Sequence, residues 1–401
     1  LTRNIVMKIL FIVQDYKGFH GVANVTRYLA EGLKNNGHDV GVLTHLDKGG
    51  KRNECLNGIQ IHKFDIRQNI LKHAVGEVKA YINFVEHYEA DIMVFVCTEC
   101  ISTDLLLPSL HKIKAKKVLH IHGCSGQVAL HGSMFKKCDG FLHTIGHTYN
   151  WLRAKRYFGH YLKKYVNDFD AVMLLSDIDS GKAYIDQNFM HSTYVLGNAA
   201  DDMFFKDYSL EPNPLDCLVE MKNKRYLVSC ANYSVVKNQK GLIQEFYKSK
   251  ISDAALVCIG SMDNAYYHEC KALAEQLASE YGEKEVHLLH HVNRQLLPLI
   301  IGKASLYLVS SNWEEYSISI IEAMAQGVPF ISTNQGVAKL LPGGITINSL
   351  DEMHDIIDKL MSDPQQRTEL ADAGKQFAYA HCSRKKAVEK LENILLTVVN
   401  S

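Results

Sequence analysis

Two glutamates and a lysine, Glu314, Glu322 and Lys237, have the residue types and spacing to handle an anionic leaving group. The run Ser305–Val309 is short, apolar and bounded, so it reads as a buried strand. After a polar loop, Ile318, Ile321, Met324 and Ala325 recur at helical spacing. Gly327 suits a left-handed cap and Pro329 prevents the helix from continuing. Such a strand-loop-helix unit presents backbone N–H groups and a positive dipole end beside the loop, where a phosphate would sit. Glu314 falls in the loop and Glu322 about a turn inside the helix. Their separation would span roughly 12 Å of continuous helix, so they can face one ligand only if the loop folds back. Lys237 follows the strand Tyr226–Cys230 by a short loop and precedes a helix containing Leu242 to Phe246.

The stretch from Glu314 through Glu322-Ala-Met-Ala-Gln-Gly-Val-Pro329 resembles the paired-glutamate signature of retaining GT-B glycosyltransferases of the GT4-like, or group 1, type. The resemblance covers nearly the whole chain from Met7 and is most specific from Leu196 to Pro329. It implies transfer of a sugar from a nucleotide-diphosphate donor, UDP-sugar favoured, to an acceptor hydroxyl, with polysaccharide or glycoconjugate synthesis as the setting. Catalytic roles are implied for Glu314, His122 and Lys237, and donor contacts for Gly21, Asn232, Lys237, Gly260, His291, Glu314, Tyr316, Ser317, Ile318 and Glu322. Within that scheme Lys237 holds the diphosphate, Glu322 the ribose, Glu314 the donor sugar or positive charge at its anomeric carbon, and His122 orients sugar or acceptor. No metal or cofactor is implied, because lysine, arginine and helix dipoles neutralise the diphosphate.

This chain departs from the family in several places. Asn232 stands where an arginine is usual, and Lys240 or Arg294 are the candidates to replace its charge. Glu315 and Ser317 replace glycines, which narrows the sugar pocket. The interdomain segment Leu196-Gly-Asn-Ala-Ala-Asp201, followed by Phe205, resembles the family's with Gly197 for proline and Ala199 for glycine. The loop Gly18-Phe-His-Gly21 matches loosely the family's glycine-containing loop, and it is not a dinucleotide fingerprint.

Strands are expected at Lys8–Val13, Val40–Leu43, Ile92–Val96, Val118–His122 and Ala171–Leu175, alternating with helices such as that carrying Val22, Val25, Leu29 and Leu33 before Gly37. The pattern recurs at Tyr226–Cys230, Ala255–Ile259, Val286–Leu289, Ser305–Val309 and Val328–Ser332. Alternating strands and helices imply parallel sheets covered on both faces. Two Rossmann-like domains are expected, facing across a cleft: an acceptor-binding one at 7–195, a nucleotide-sugar-binding one at 196–380, and a helix at 381–401 packing back on the first.

At 401 residues, 47% apolar and 22% charged, the chain has the size and composition of an ordinary two-domain globular enzyme. Its formal net charge of zero gives no general argument for nucleic acid. No apolar run reaches membrane-spanning length and no signal peptide precedes the first strand, so a cytoplasmic location is expected. The ten scattered cysteines read as free thiols, and Cys97-Thr-Glu-Cys100 lacks the second pair a zinc site needs. Strand alternation puts His120 and His122 on one side, which leaves open a structural, acceptor-side or metal role. The segment 151–164 carries Arg153, Lys155, Arg156, Lys163 and Lys164 among aromatic residues; it reads as a solvated basic face or as a peripheral contact with anionic lipid. A nucleotide-sugar 2-epimerase and a non-catalytic glycan-binding subunit remain the alternatives; glycan, glycolipid and protein are all open as acceptors.

Overall fold

The computed structural model describes residues 5–401 apart from 19–20, 48, 70–72, 133, 135–140 and 222–223, and the backbone alone at 141–143. Phe19 and His20 of the glycine loop, and Cys138, therefore lie outside the described residues. The chain forms two units, one running to Gly197 and taking in Ala387–Ser401, the other spanning Asn198–Lys386. The divisions thus fall a few residues beyond the expected ones.

The first unit contains β1 (Lys8–Ile12), β2 (Asp39–His45), β3 (Asn53–Leu56), β4 (Ile59–Phe64), the short ribbon β5 (Ile66–Gln68) and β6 (Ala74–Gly76), β7 (Ile92–Val96), β8 (Lys116–His120), β9 (Ala171–Leu174) and β10 (Ser192–Val195). Eight of them form one sheet in the order β10-β9-β8-β7-β1-β2-β4-β3, parallel except for the β3/β4 hairpin. The apolar runs Ile92–Val96 and Ala171–Leu174 are buried at every position, as strands covered on both faces must be. β3, β4 and the ribbon were not expected. β8 begins and ends two residues earlier than expected, because Lys116 and Lys117 pair with Ile92 and Met93 although they are not apolar.

The helix Gly21–Asn35 buries Val25, Leu29 and Leu33 on one stripe against this sheet. It ends in a Schellman turn: His38 N–H donates to Leu33 C=O, Gly37 N–H donates to Lys34 C=O, and Gly37 takes φ +95°. The final helix, Arg384–Asn400, seats Val388 against Gly32, where a Cβ would overlap the valine, and Glu392 accepts from Asn36 Nδ2 at 2.5 Å. The return of the chain terminus to the first unit is therefore fixed by a close helix–helix approach.

The second unit is a six-stranded all-parallel sheet of β11 (Arg225–Cys230), β12 (Ala254–Gly260), β13 (Val286–His290), β14 (Leu306–Val309), β15 (Phe330–Thr333) and β16 (Gly344–Ile347). Its order is β13-β12-β11-β14-β15-β16. Two buried clusters cover its faces. Tyr226 and Val228 belong to one and Leu227 to the other, as strand alternation requires. The order reverses between β11 and β14, the topological switch point at which open α/β sheets bind ligands beyond the strand C-termini. In the first unit the corresponding reversal lies between β1 and β7.

Candidate functional site

At the second unit's switch point, the loops after β11 and β14 enclose a cavity of about 180 Å³. Lys237, Ser310, Ser311, Glu314, Tyr316, Ser317, Ile318 and Ser319 line it, with Ser229, Cys230 and Ala231 at the end of β11. The helix Ile318–Ala325 begins at this cavity; Ser317 makes no side-chain cap, and its hydroxyl instead lies 3.2 Å from Ser319 Oγ. The helix ends as its residues require. Gly327 takes φ +71°, Val328 N–H donates to Ala323 C=O and Gly327 N–H to Met324 C=O.

The Lys237 ammonium is bonded to Glu314 Oε1, and Ser311 Oγ donates to the same oxygen at 3.1 Å. Ser310 Oγ donates to Lys237 C=O at 2.9 Å, tying the two loops together. The Glu314–Glu315 turn rests on Gly336, whose φ is +52° and where a Cβ would overlap both glutamate carbonyls. The loop fold-back that brings Glu314 toward the helix thus depends on a glycine in a different loop.

Glu322 occupies the buried face of the helix, 4% exposed, and does not line the cavity. Arg294 Nη2 donates to its Oε1 at 2.6 Å. Burial pushes the Glu322 carboxyl above its usual range, and the Arg294 charge opposes that shift. The two glutamates therefore face two different cations. Arg294 also lies 5.7 Å from the Phe204 ring centroid. Lys240 pairs with Glu269 at 3.2 Å.

The remaining expected donor residues are dispersed. Asn232 is exposed on the loop after β11, which Gln239 Nε2 holds by donating to the carbonyls of Ala231 and Asn232. Gly260 ends β12 beneath Tyr233, whose ring a Cβ would overlap. His291, at φ +56°, has its Nδ1 2.8 Å from that of His290. Gly21 opens the first helix of the other unit.

In the first unit, a cavity of about 670 Å³ lies at the switch point, lined by Gln14 and Asp15 after β1, Cys97 and Cys100 after β7, and His45, Arg67 and Gln68. Beyond β8, the rings of His120 and His122 are 4.1 Å apart. β8 ends at His120, Ile121 N–H still donates to Met173 C=O, and the two rings lie on one side as alternation leads one to expect. The Nε2 atoms of both are buried with no hydrogen-bond partner. Burial lowers His122 to about 4, and burial together with His122 lowers His120 well below its usual value.

Cys97 and Glu99 both adopt positive φ, at 67° and 57°. Glu99 accepts from Gly126 N–H at 2.9 Å, and its own N–H donates to the Tyr157 hydroxyl. Tyr157 in turn donates to Asp104 Oδ1 at 2.5 Å. Burial raises Asp104 to about 7 against the pull of the Tyr157 hydrogen bond. The Cys97 and Cys100 thiols are free and pushed up by burial. Among the described residues, no group of three or more His, Cys, Asp or Glu could hold a metal ion.

Sequence reading did not single out Ser311 or Gly336: Ser311 meets Glu314 three residues on within one loop, whereas Gly336 meets the Glu314–Glu315 turn only through the fold. A larger cavity of about 950 Å³ runs along Ser252–Ala254 and Glu283–Val286, at the N-terminal ends of β12 and β13, opposite the edge where such sheets bind ligands.

Residues 218–377 match the family model for glycosyl transferases group 1. Over 112 residues the chain is 25% identical to an MMP alpha-(1->4)-mannosyltransferase of Mycolicibacterium hassiacum, a match covering 26% of this chain and 27% of that protein. Among solved structures, a sucrose-phosphate synthase from Thermosynechococcus elongatus superposes with TM-score 0.73 at 14% identity, covering 98% of this chain and 99% of the other. Anabaena HepE in complex with UDP and glucose gives TM-score 0.72 at 17% identity, covering 98% and 100%. Both the 180 Å³ cavity and the Arg294–Glu322 pair fall within the matched segment. No helix among the described residues is long and apolar enough to cross a membrane. With its paired glutamates, its two parallel-sheet units and this matched segment, the chain resembles the group 1 glycosyltransferases and has their GT-B fold.

Proposed function

We propose that the protein is a retaining glycosyltransferase that moves a hexose from a nucleotide-diphosphate donor, a UDP-sugar by preference, to an acceptor hydroxyl. The observation that carries this reading is the Lys237–Glu314 pair beside the start of the Ile318–Ala325 helix, at the switch point of a parallel sheet. The HepE complexes with UDP and with UDP-glucose support the choice of uridine.

The mechanism is displacement on one face of the sugar. The anomeric carbon–oxygen bond to the diphosphate breaks as the acceptor oxygen bonds to the same carbon, and the acceptor's proton passes to a departing phosphate oxygen. Lys237 and the helix N-terminus stabilise the developing negative charge, the electrostatic contribution expected to be largest. Glu314 positions the sugar while sharing the lysine. Glu322 takes the ribose hydroxyls. The first unit receives the acceptor, with His122 as a neutral hydrogen-bonding group. The lysine and the helix dipole supply the positive charge, so a metal ion is not required, and a chelator should leave the rate unchanged. Synthesis of cell-surface polysaccharide or glycoconjugate in the cytoplasm is the setting we favour.

A panel of UDP-, GDP-, ADP- and dTDP-sugars, scored by calorimetry and nucleotide release with wild type, Glu322→Ala and Lys237→Ala, tests this reading. Saturable binding and slow release with one donor, lost in both variants, is the expected outcome. Interconversion of donors without release would indicate the 2-epimerase. Binding of none would leave the non-catalytic glycan-binding subunit, the alternative that Asn232 favours by removing a cation.

A peripheral membrane contact is proposed for the helix Phe141–Arg156 and the turns after it. Phe158 and Leu162 anchor this segment in the core, while Arg153, Lys155, Arg156, Lys163 and Lys164 are all exposed. Ile145, Tyr149 and Leu152 add an exposed apolar stripe at helical spacing. Sedimentation with anionic vesicles at low and moderate salt should carry the protein down; no binding at either salt would end this idea.

A further inference from the structure

We infer that Arg294 is an exchangeable counter-ion: it holds Glu322 in the free protein and moves to the donor's diphosphate when the ribose takes over Glu322. The inference rests on the nucleotide-sugar reading above and assigns a second cation to that site.

The other cations nearby are committed or missing. Position 232 carries an asparagine, Lys240 is paired with Glu269, and Lys237 is shared with Glu314. A diphosphate facing one lysine, with buried Glu322 close by, would be poorly compensated. Arg294 is suited to the task. Its side chain is 57% exposed while that of Glu322 is 5% exposed, so the guanidinium can swing and the carboxylate cannot. The guanidinium rests against the Phe204 ring, which leaves its planar fork able to meet a phosphate in bidentate fashion. Its position relative to the cavity also fits. Arg294 follows β13 at the C-terminal edge of the sheet, and its partner Glu322 lies on the helix that begins at the cavity.

The exchange has a physical logic. An unpaired buried carboxylate is costly, so the free protein needs a donor on Glu322. Ribose hydroxyls can supply that donation, and only then is the arginine released at no loss to Glu322. Recognition of ribose and of diphosphate thereby become coupled: a nucleoside diphosphate should bind more tightly than its nucleoside by more than Lys237 alone would give.

The test is calorimetric titration of the full chain with the uridine and guanosine series, each as nucleoside, monophosphate and diphosphate. Wild type is compared with Arg294→Met, Arg294→Lys, Glu322→Gln and the Arg294→Met/Glu322→Gln double variant. Loss of a charge-assisted contact should weaken nucleoside diphosphate binding by roughly 10-fold or more in Arg294→Met. Nucleoside binding should not weaken in Arg294→Met, since ribose needs Glu322 and has no ion pair to displace there. Arg294→Lys, which keeps the charge and loses the fork, should fall between, and its folding guards against a loss caused by misfolding. The diphosphate-specific loss should persist in the Glu322→Gln background. Equal losses for nucleoside and diphosphate, no loss for either, or a loss that vanishes beside Glu322→Gln would each overturn the exchange and leave the glycosyltransferase reading standing. Failure of wild type to bind any member of either series would overturn both.

Discussion

At the switch point of the second unit the candidate side chains stand in acid–base pairs, Lys237 with Glu314 and Arg294 with Glu322, and the Arg294 charge opposes the upward push of burial on Glu322. Around the corresponding end of the first unit's sheet, the groups beyond β7 and β8 are pushed toward their neutral forms. His120 and His122 are lowered, Asp104, Cys97 and Cys100 are raised, and burial is the leading cause each time. Both sheets reverse their order at a switch point, yet the loops beside it are filled differently. Paired charges suit an anion that enters by exchanging partners, since the cost of isolating each charge has already been met within the protein. Neutral buried donors and acceptors suit an uncharged, hydroxyl-rich ligand, whose hydrogen bonds they can complete without a charge to desolvate.

The largest effect should come from breaking the charged edge. Lys237→Met is expected to lower the transfer rate roughly 100- to 1,000-fold, the scale of losing one preorganised group on a developing anion. Its effect on stability should be small, about 1 kcal/mol or less, because the lysine and Glu314 side chains are 27% and 15% exposed and partly screened. Nucleotide release assays beside thermal melts would separate the two. A large stability loss with little change in rate would make the pair structural.

Gly336→Ala attacks the same edge through the backbone. A Cβ at φ +52° would be strained and would also strike the carbonyls of Glu314 and Glu315. A stability loss of about 2–3 kcal/mol by denaturant unfolding is expected, together with weaker donor binding as the Glu314 loop shifts. Unchanged donor binding would show that the loop's position is set elsewhere.

The contrast between the two edges was only half legible in the sequence. The second unit's edge could be read because strand, loop, helix and cap are contiguous from Ser305 to Pro329, so local spacing carries the geometry. What could not be read is pairing across distance: Glu322 meets Arg294 28 positions away, and Lys237 meets Glu314 77 positions away. The first unit's edge was harder still. Its character comes from the sealing-in of the His120 and His122 Nε2 atoms and the desolvation of the half-buried Asp104, and no residue type announces either. One miss was avoidable. Asn57-Gly58 joins β3 and β4 with both residues at positive φ, 52° and 76°, and Asn-Gly between alternating residues is the strongest short-range hairpin signal. By contrast β8 begins with two lysines and β10 with Ser192 and Thr193, so tertiary pairing overrode their weak apolar patterns.

The neutral edge makes a prediction about acid. His122 ionises near 4 when folded against 6.5 when unexposed to the fold, so the unfolded chain binds its proton first. Stability is therefore full above about pH 6.5 and falls as pH drops toward 4. His122→Asn should remove about 1–3 kcal/mol of that acid-side loss while leaving nucleoside diphosphate affinity unchanged. If the variant melts with the same pH dependence as wild type, the ring is solvated or charged and the edge is not neutral. If diphosphate affinity falls with it, the division of labour between the units is wrong.

Asp104 gives the opposite sign and the smallest effect. Its folded value of about 7 lies above the ordinary 3.8, so between those two the unfolded chain gives up the proton more readily. The folded state then loses stability as pH rises through that window, and above about 7 it carries an ionised carboxylate that burial disfavours. Asp104→Asn keeps an oxygen to accept from Tyr157 and removes the ionisation. It should match wild type at pH 4 and exceed it at pH 8 by about 1–2 kcal/mol, a figure reduced below the full linkage value because the residue is only partly buried. A variant less stable than wild type at pH 8 would mean that the Tyr157 hydroxyl and Arg153 hold the carboxylate as an anion. The first unit would then keep a fixed negative charge near its binding edge, and an uncharged acceptor would no longer be the ligand its chemistry selects.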